Sequence, residues 1–230
     1  MSSQNYTSAN KPLAVCLVSG GLDSCVTAAL AARDYRTAFL HVNYGQVTEK
    51  REMKAFNDIA DYYRGPENLR LAVDIGYLKK IGGSRLTEPG YRSRRGDGIP
   101  DTYVPFRNGN ILSIAVSWAE VIGAEKIFIG AMEEDSSGYP DCREEFVNRF
   151  NRAIEAGTRP GSQIEIAAPI IHLSKGDVVR KGIEVGAPLR LSWSCYTSSG
   201  PAACGICESC RLRLKGFAAA GAEDPIEYDK

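Results

Sequence analysis

The chain is poor in several things that would have pointed to common functions. It has no net charge, with 28 Lys and Arg against 28 Asp and Glu. That excludes a global basic field drawing it to nucleic acid or anionic lipid. No apolar run approaches the length of a bilayer span, so no membrane partner is expected. The first dozen residues have no apolar stretch of the secretory kind and read as a flexible polar tail, residues 1–12. Histidine is scarce, with two residues, His41 and His172, and neither falls into a ligand spacing with the cysteines. There is no internal repeat. The two commoner phosphate loops, Gly-x-x-x-x-Gly-Lys-Ser/Thr and a Gly-x-Gly-x-x-Gly after the first strand, are both missing.

What is present begins at Leu13. Leu13 to Val18 is a short apolar run of strand character. Ser19-Gly20-Gly21 breaks it, and from Ser24 the pattern of Val26, Ala28, Ala29, Leu30 and Ala32 is helical. A strand, a glycine turn and a helix aim backbone N–H groups and the positive end of a helix dipole at one point, where a phosphate fits. Gly20 and Gly21 leave out the Cβ atoms that would hold an oxyanion away. Ser19 and Ser24 add hydroxyls, and Asp23 could cap the helix or hold Mg²⁺. The segment Ser19-Gly20-Gly21-Leu22-Asp23-Ser24 resembles the PP-loop of the adenine-nucleotide α-hydrolase-like ATP pyrophosphatases, which implies attack at the α-phosphate of ATP.

Strand and helix patterns then alternate. Strands are expected at Thr37–Asn43, Leu69–Ile75, Lys126–Gly130 and Ile164–Ala168. Helices are expected over Thr48–Tyr63, Asn110–Ile122, Arg143–Ala156 and Ser174–Val185, the last with Ser174 and Asp177 as an N-cap pattern. This alternation predicts an α/β fold, a doubly wound, Rossmann-like parallel sheet with ligands at the carboxyl ends of its strands. Those ends are Ser19 to Ser24, Asn43 to Gln46, and Gly130 to Asp135. Residues 79–104, rich in Gly, Pro and basic residues (Arg92, Arg94, Arg95), read either as a solvated loop or as a lid over an anionic nucleotide. Arg107 and Asn108 are expected just before a helix start.

Four of the seven cysteines, Cys195, Cys204, Cys207 and Cys210, have the spacing of a tetrahedral thiolate site. Zinc is the first choice and an iron–sulfur cluster the rival, since four cysteines serve either. Four protein ligands leave no open position, so the site reads as a structural knuckle. A reducing cytoplasm suits it better than a disulfide pattern. Cys16 and Cys25 read as small core residues and His41 as a structural histidine.

Taken together and in order, the PP-loop, Val42-Asn-Tyr-Gly-Gln46, Ile99-Pro-Asp-Thr-Tyr-Val-Pro-Phe-Arg-Asn108, Ser137-Gly-Tyr-Pro-Asp-Cys-Arg143 and the cysteine cluster resemble the 7-cyano-7-deazaguanine synthase family of queuosine and archaeosine biosynthesis. The resemblance runs from about Leu13 to Phe217; Leu22 departs from it, since many members carry Gln there. It implies a PP-loop domain over 13–190 with a zinc-binding segment at 191–230, and a homodimer. It also implies the conversion of 7-carboxy-7-deazaguanine and ammonia to the nitrile at the expense of ATP. The residues expected to bind ATP are Val18, Ser19, Gly20, Gly21, Leu22, Asp23, Ser24, Cys25, Val26, Thr27 and Ala28, with Asn43, Gln46 and Gly130. Those expected to carry chemistry are Ser19, Asp23, Ser24, Arg107 and Arg143. The donor pair of a guanine-like ring asks for a carboxylate, for which Asp141, Glu134 and Asp135 are candidates, and the substrate's own carboxylate would suit Arg143 or Arg107. No enzyme nucleophile is needed, which argues against a covalent role for Cys142. Another PP-loop enzyme, amide-forming or tRNA-modifying, and a non-catalytic zinc-stabilised nucleotide module stand as alternatives.

Overall fold

The computed structural model describes residues 11–63, 69–88, 90–92, 98–133, 138–198 and 200–229. Five strands, β1 (Leu13–Leu17), β2 (Arg36–Asn43), β3 (Arg70–Asp74), β4 (Lys126–Phe128) and β5 (Glu165–Ala167), form one parallel sheet in the order β3-β2-β1-β4-β5. Seven α-helices are described: α1 (Leu22–Asp34), α2 (Glu49–Tyr62), α3 (Tyr77–Ile81), α4 (Arg107–Ile122), α5 (Glu144–Gly157), α6 (Lys175–Glu184) and α7 (Glu208–Ala220). None is long and apolar enough to cross a membrane.

β1 shows why the sheet is central. All five of its residues are buried. Leu13, Val15 and Leu17 point into the cluster shared with α4 and α5, while Ala14 and Cys16 point into the one shared with α1 and α2. A strand covered on both faces reads as a continuous apolar run, and each such Leu or Val contributes about 1.5–3 kcal/mol on burial. Cys25 belongs to the same core, and burial pushes its thiol up to about 12, so it stays protonated. His41 is buried beside the carbonyl of Val18 (2.8 Å) and Asn43 Oδ1 (3.0 Å), a structural role.

After β3 the chain crosses β2 and β1 and pairs β4 on the other side of β1. That reversal opens a crevice at the carboxyl ends of β1 and β4, where doubly wound folds bind ligands.

The structure shifts some boundaries. α1 begins at Leu22 rather than Ser24, and α4 at Arg107 rather than Asn110. The cap before α4 is Phe106, whose φ of 54° is left-handed and costs a non-glycine residue of order 1 kcal/mol. Arg107 and Asn108 therefore lie in the first turn, not ahead of it. The described ends of the 79–104 segment are tied down. Ser84 and Thr87 are buried, and Arg85 N donates to Asp101 O at 2.7 Å. Arg92 faces Asp101 at 3.9 Å; Arg94 and Arg95 lie outside the described residues.

Candidate active site

The PP-loop is built from backbone. Gly20 has a φ of +91°, and a Cβ there would lie 2.8 Å from the carbonyl oxygen of Glu52, so a side chain is excluded twice over. Gly21 caps α1 without a side-chain hydrogen bond. The first-turn N–H groups of α1 have no intrahelical acceptor and open toward the crevice. Ser19 Oγ accepts from Gly21 N (3.2 Å) and donates to Ser24 Oγ (3.2 Å), which donates to Gly21 O (2.9 Å). Gly130, at the exit of β4, lets that strand touch the loop: a Cβ there would sit 2.9 Å from backbone atoms of Asp23 and Ser24.

Asp23 does not cap α1. Both of its oxygens accept from Lys175 Nζ, at 2.9 and 3.0 Å. Lys175 is the first residue of α6, and Gly216 of α7 leaves room for its stem, since a Cβ there would lie 2.5 Å from Lys175 Cγ. Sequence reasoning found the Ser174 cap, which accepts from Asp177 N, and passed over the lysine beside it. Nothing local distinguishes it from a surface lysine.

Val18, Ser19, Gly21, Leu22, Asp23, Ser24 and Gly130 line a cavity of about 460 Å³. Gly20, Cys25, Val26, Thr27 and Ala28 stand behind that wall. Cys25, Val26 and Ala28 pack into the core, and Thr27 is buried. Asn43 and Gln46 are buried and off the wall as well. They brace the exit of β2: Gln46 Oε1 accepts from Tyr44 N (2.9 Å), and its Nε2 donates to Glu52 Oε2 (2.9 Å). Tyr44 and Glu52 face the cavity in their place.

The same cavity is also lined by Tyr44, Thr102, Arg107, Tyr139, Cys142 and Tyr196, a cluster of side chains that we call its second lobe. Arg107 donates to Tyr44 Oη at 3.1 Å, and its guanidinium lies 5.2 Å from the tyrosine ring centre. Burial disfavours its charge, but the surrounding Tyr44, Cys142 and Asp141 more than offset this and hold it protonated. Thr102 and Tyr139 share a hydrogen bond of 2.5 Å. Cys142 Sγ accepts from Asn108 Nδ2 at 3.2 Å.

The other sequence candidates lie elsewhere. Asp141 is buried off the cavity wall. Its Oδ2 accepts from the backbone N–H of Asn108 (2.8 Å), which anchors the start of α4. Burial raises its pKa against the pull of that bond and of Arg107. Arg143 caps α5 from an exposed position and does not reach the wall. Glu134 and Asp135 lie outside the described residues.

The four cysteines converge. The sulfurs of Cys195, Cys204, Cys207 and Cys210 all lie within 4.8 Å of one another, and Cys204 and Cys210 are 3.9 Å apart. A tetrahedron of Zn–S bonds of about 2.3 Å has edges of about 3.8 Å, so the set fits one ion. Gly205, at φ +69°, turns the chain between ligands. N–H groups of Ser198 (3.2 Å) and Cys207 (3.3 Å) point at Cys195 and Cys204 sulfurs, and hydrogen bonding from Thr197, Cys207 and Ile206 brings Cys204 down to about 6. None of the seven cysteines is in a disulfide. The knuckle is fastened to the PP-loop: Trp193 N donates to Gly20 O at 2.8 Å. Arg213 of α7, missed in the sequence as an ordinary helix charge, is 1% exposed. It pairs with Asp224 at 2.7 and 3.0 Å and donates to Ser192 Oγ at 2.8 Å.

Residues 13–221 match the model of a family described as queuosine biosynthesis protein QueC. The 7-cyano-7-deazaguanine synthase of Chlorobaculum parvum is 54% identical over 221 residues, spanning 94% of this chain and 96% of its own. That of Chlorobium luteolum has the same identity and coverage. Among solved structures, a U34-tRNA thiolase from Methanococcus maripaludis aligns at 15% identity over 90% of this chain and 63% of its own, with a TM-score of 0.48.

Proposed function

The chain belongs to the QueC family of queuosine biosynthesis proteins, and on that premise we propose that it is an ATP-dependent ligase that converts 7-carboxy-7-deazaguanine and ammonia to 7-cyano-7-deazaguanine. The observation that carries this reading is one cavity with two unlike lobes. A phosphate-type loop lies in one, and a half-buried cation, Arg107, in the other.

A carboxylate is a poor electrophile and has to be activated. The PP-loop, with Ser19, Ser24 and the first-turn N–H groups of α1, takes the phosphates of ATP. Arg107 holds the carboxylate of the acid toward the α-phosphate, where a planar fork of donors is the matching shape. Attack of that carboxylate gives an acyl adenylate and releases pyrophosphate. Ammonia displaces AMP to give the amide. A second activation, on the amide oxygen, lets that oxygen leave with AMP as the nitrile forms. Cys142 takes no covalent part. Lys175 balances charge beside Asp23, the carboxylate of the loop that would hold Mg²⁺; bound there, the ion would offset phosphate charge. Cys195, Cys204, Cys207 and Cys210 would hold zinc, whose contribution would be structural. The enzyme works as a cytoplasmic homodimer on free small molecules. The neutral net charge supports the absence of a large tRNA footprint.

The test is to incubate the protein with ATP, Mg²⁺, ammonium and the acid and to follow products by mass. Nitrile with AMP and pyrophosphate is expected. Product arrested at the amide, or no turnover of the free acid, would overturn the reading. Light scattering after size exclusion checks the dimer.

A further inference from the structure

We propose that Glu208, carried by the cysteine knuckle, reads the ring of the acid by accepting from its N1–H and 2-amino group. The inference rests on the function proposed above and goes beyond it, since it makes the knuckle a wall of the substrate pocket as well as a support.

The cavity offers three carboxylates among the described residues, Asp23, Glu52 and Glu208. Two are engaged. Asp23 takes two bonds from Lys175. Glu52 takes Thr48 Oγ1 at 2.5 Å and Gln46 Nε2 at 2.9 Å. Glu208 differs: its ion partner, Arg85, is 4.0 Å away, beyond hydrogen-bond distance, and both side chains are largely exposed. Asp141 is excluded by its bond to Asn108 and its place off the wall.

The surroundings suit a planar heterocycle. Tyr44, Tyr139 and Tyr196 line the lobe, with Leu212, which is four residues beyond Glu208 and so on the same face of α7. Such walls sandwich a flat ring and leave its edge to polar groups. Burial raises the pKa of Tyr139, and the charges of Arg107 and Glu208 act on it with opposite signs. The lobe therefore carries a cation for an exocyclic carboxylate and an anion for the ring's donors around one aromatic wall. A carboxylate has two acceptor oxygens, which match an N1–H and an adjacent amine; a neutral amide would set one donor against another. Cys207 and Cys210 flank Glu208, so a metal bound by the four cysteines would hold the start of α7 against the lobe.

The experiment compares the acid with its analogue bearing hydrogen in place of the 2-amino group, in the wild-type enzyme, Glu208→Gln and Glu208→Asp. The wild type should favour the 2-amino substrate by about 10-fold or more in kcat/KM. In Glu208→Gln its KM should rise about 10- to 100-fold, and the preference should fall to within about threefold, with the KM for ATP and the bound zinc unchanged. Glu208→Asp keeps the charge and should retain the preference at a higher KM, which separates recognition from damage to the knuckle. Wild-type discrimination in Glu208→Gln overturns the assignment and leaves the ligase reading intact. A wild-type enzyme that makes no nitrile from the 2-amino substrate overturns that reading, and the assignment with it.

Discussion

The two lobes of the cavity are made in opposite ways. The PP-loop lobe is built chiefly from one stretch, Ser19 to Ser24, and its working groups are mostly backbone N–H and small hydroxyls. The distal lobe is built from side chains of widely separated segments: Tyr44 after β2, Thr102 and Arg107 around the start of α4, Tyr139 and Cys142 before α5, and Tyr196 to Leu212 in the knuckle. A backbone site needs a particular turn, and a turn is written in consecutive residues. A side-chain site needs several elements docked correctly, so its integrity is that of the whole fold. The first kind suits a ligand common to many enzymes, a nucleoside triphosphate; the second suits a ligand peculiar to one.

The difference can be broken most severely at the knuckle, which serves both lobes. Cys207→Ala should bring bound metal close to zero and lower the melting temperature by more than about 10 °C, since a structural metal held by the four cysteines would supply folding free energy. Elemental analysis and calorimetry check it, and retained metal with an unchanged melting curve would separate the knuckle from the fold. Next in size is Lys175→Met, which leaves Asp23 without its partner at the loop. It should lower kcat/KM for ATP about 100-fold with little change in the KM of the acid. A comparable rise in the acid's KM would show that the lobes are not separable there.

Gly130→Ala should act on the nucleotide lobe alone. A Cβ 2.9 Å from the backbone of Asp23 and Ser24 must displace the loop. About 1–3 kcal/mol of stability should be lost by denaturant titration, and the KM for ATP should rise. The smallest effect is Arg107→Lys, which keeps the charge and loses the fork. The acid's KM should rise about 10-fold while that for ATP stays within about twofold, in steady-state kinetics with each substrate varied. Equal changes in both would place Arg107 on the phosphates.

Much of this molecule is legible in its amino-acid sequence. The burial of β1 on both faces follows from an unbroken apolar run, and the Ser174 cap from a local pattern; both appear where expected. The cysteine convergence follows from spacing, because short loops cannot carry the sulfurs far apart. Local plausibility does not fix where a side chain ends up. Asp141 and Arg143 stand in an acidic, turn-rich loop at the ligand edge, yet the first is spent on the N-terminus of α4 and the second is turned outward. Asn43 and Gln46 sit at a strand end and brace it from behind. Lys175, Arg213 and Glu208 carry no signal, since each is one charge in a helix pattern.

By itself the sequence determined the sheet, the glycine turn at its switch point and the convergence of the four cysteines. Each depends on residues within a few positions of one another, where covalent geometry limits what the chain can do. Tertiary structure alone decided which charges reach the cavity. A side chain's role depends on what packs opposite it, and for Asp23 and Lys175, 152 residues apart, no local rule brings the partners together.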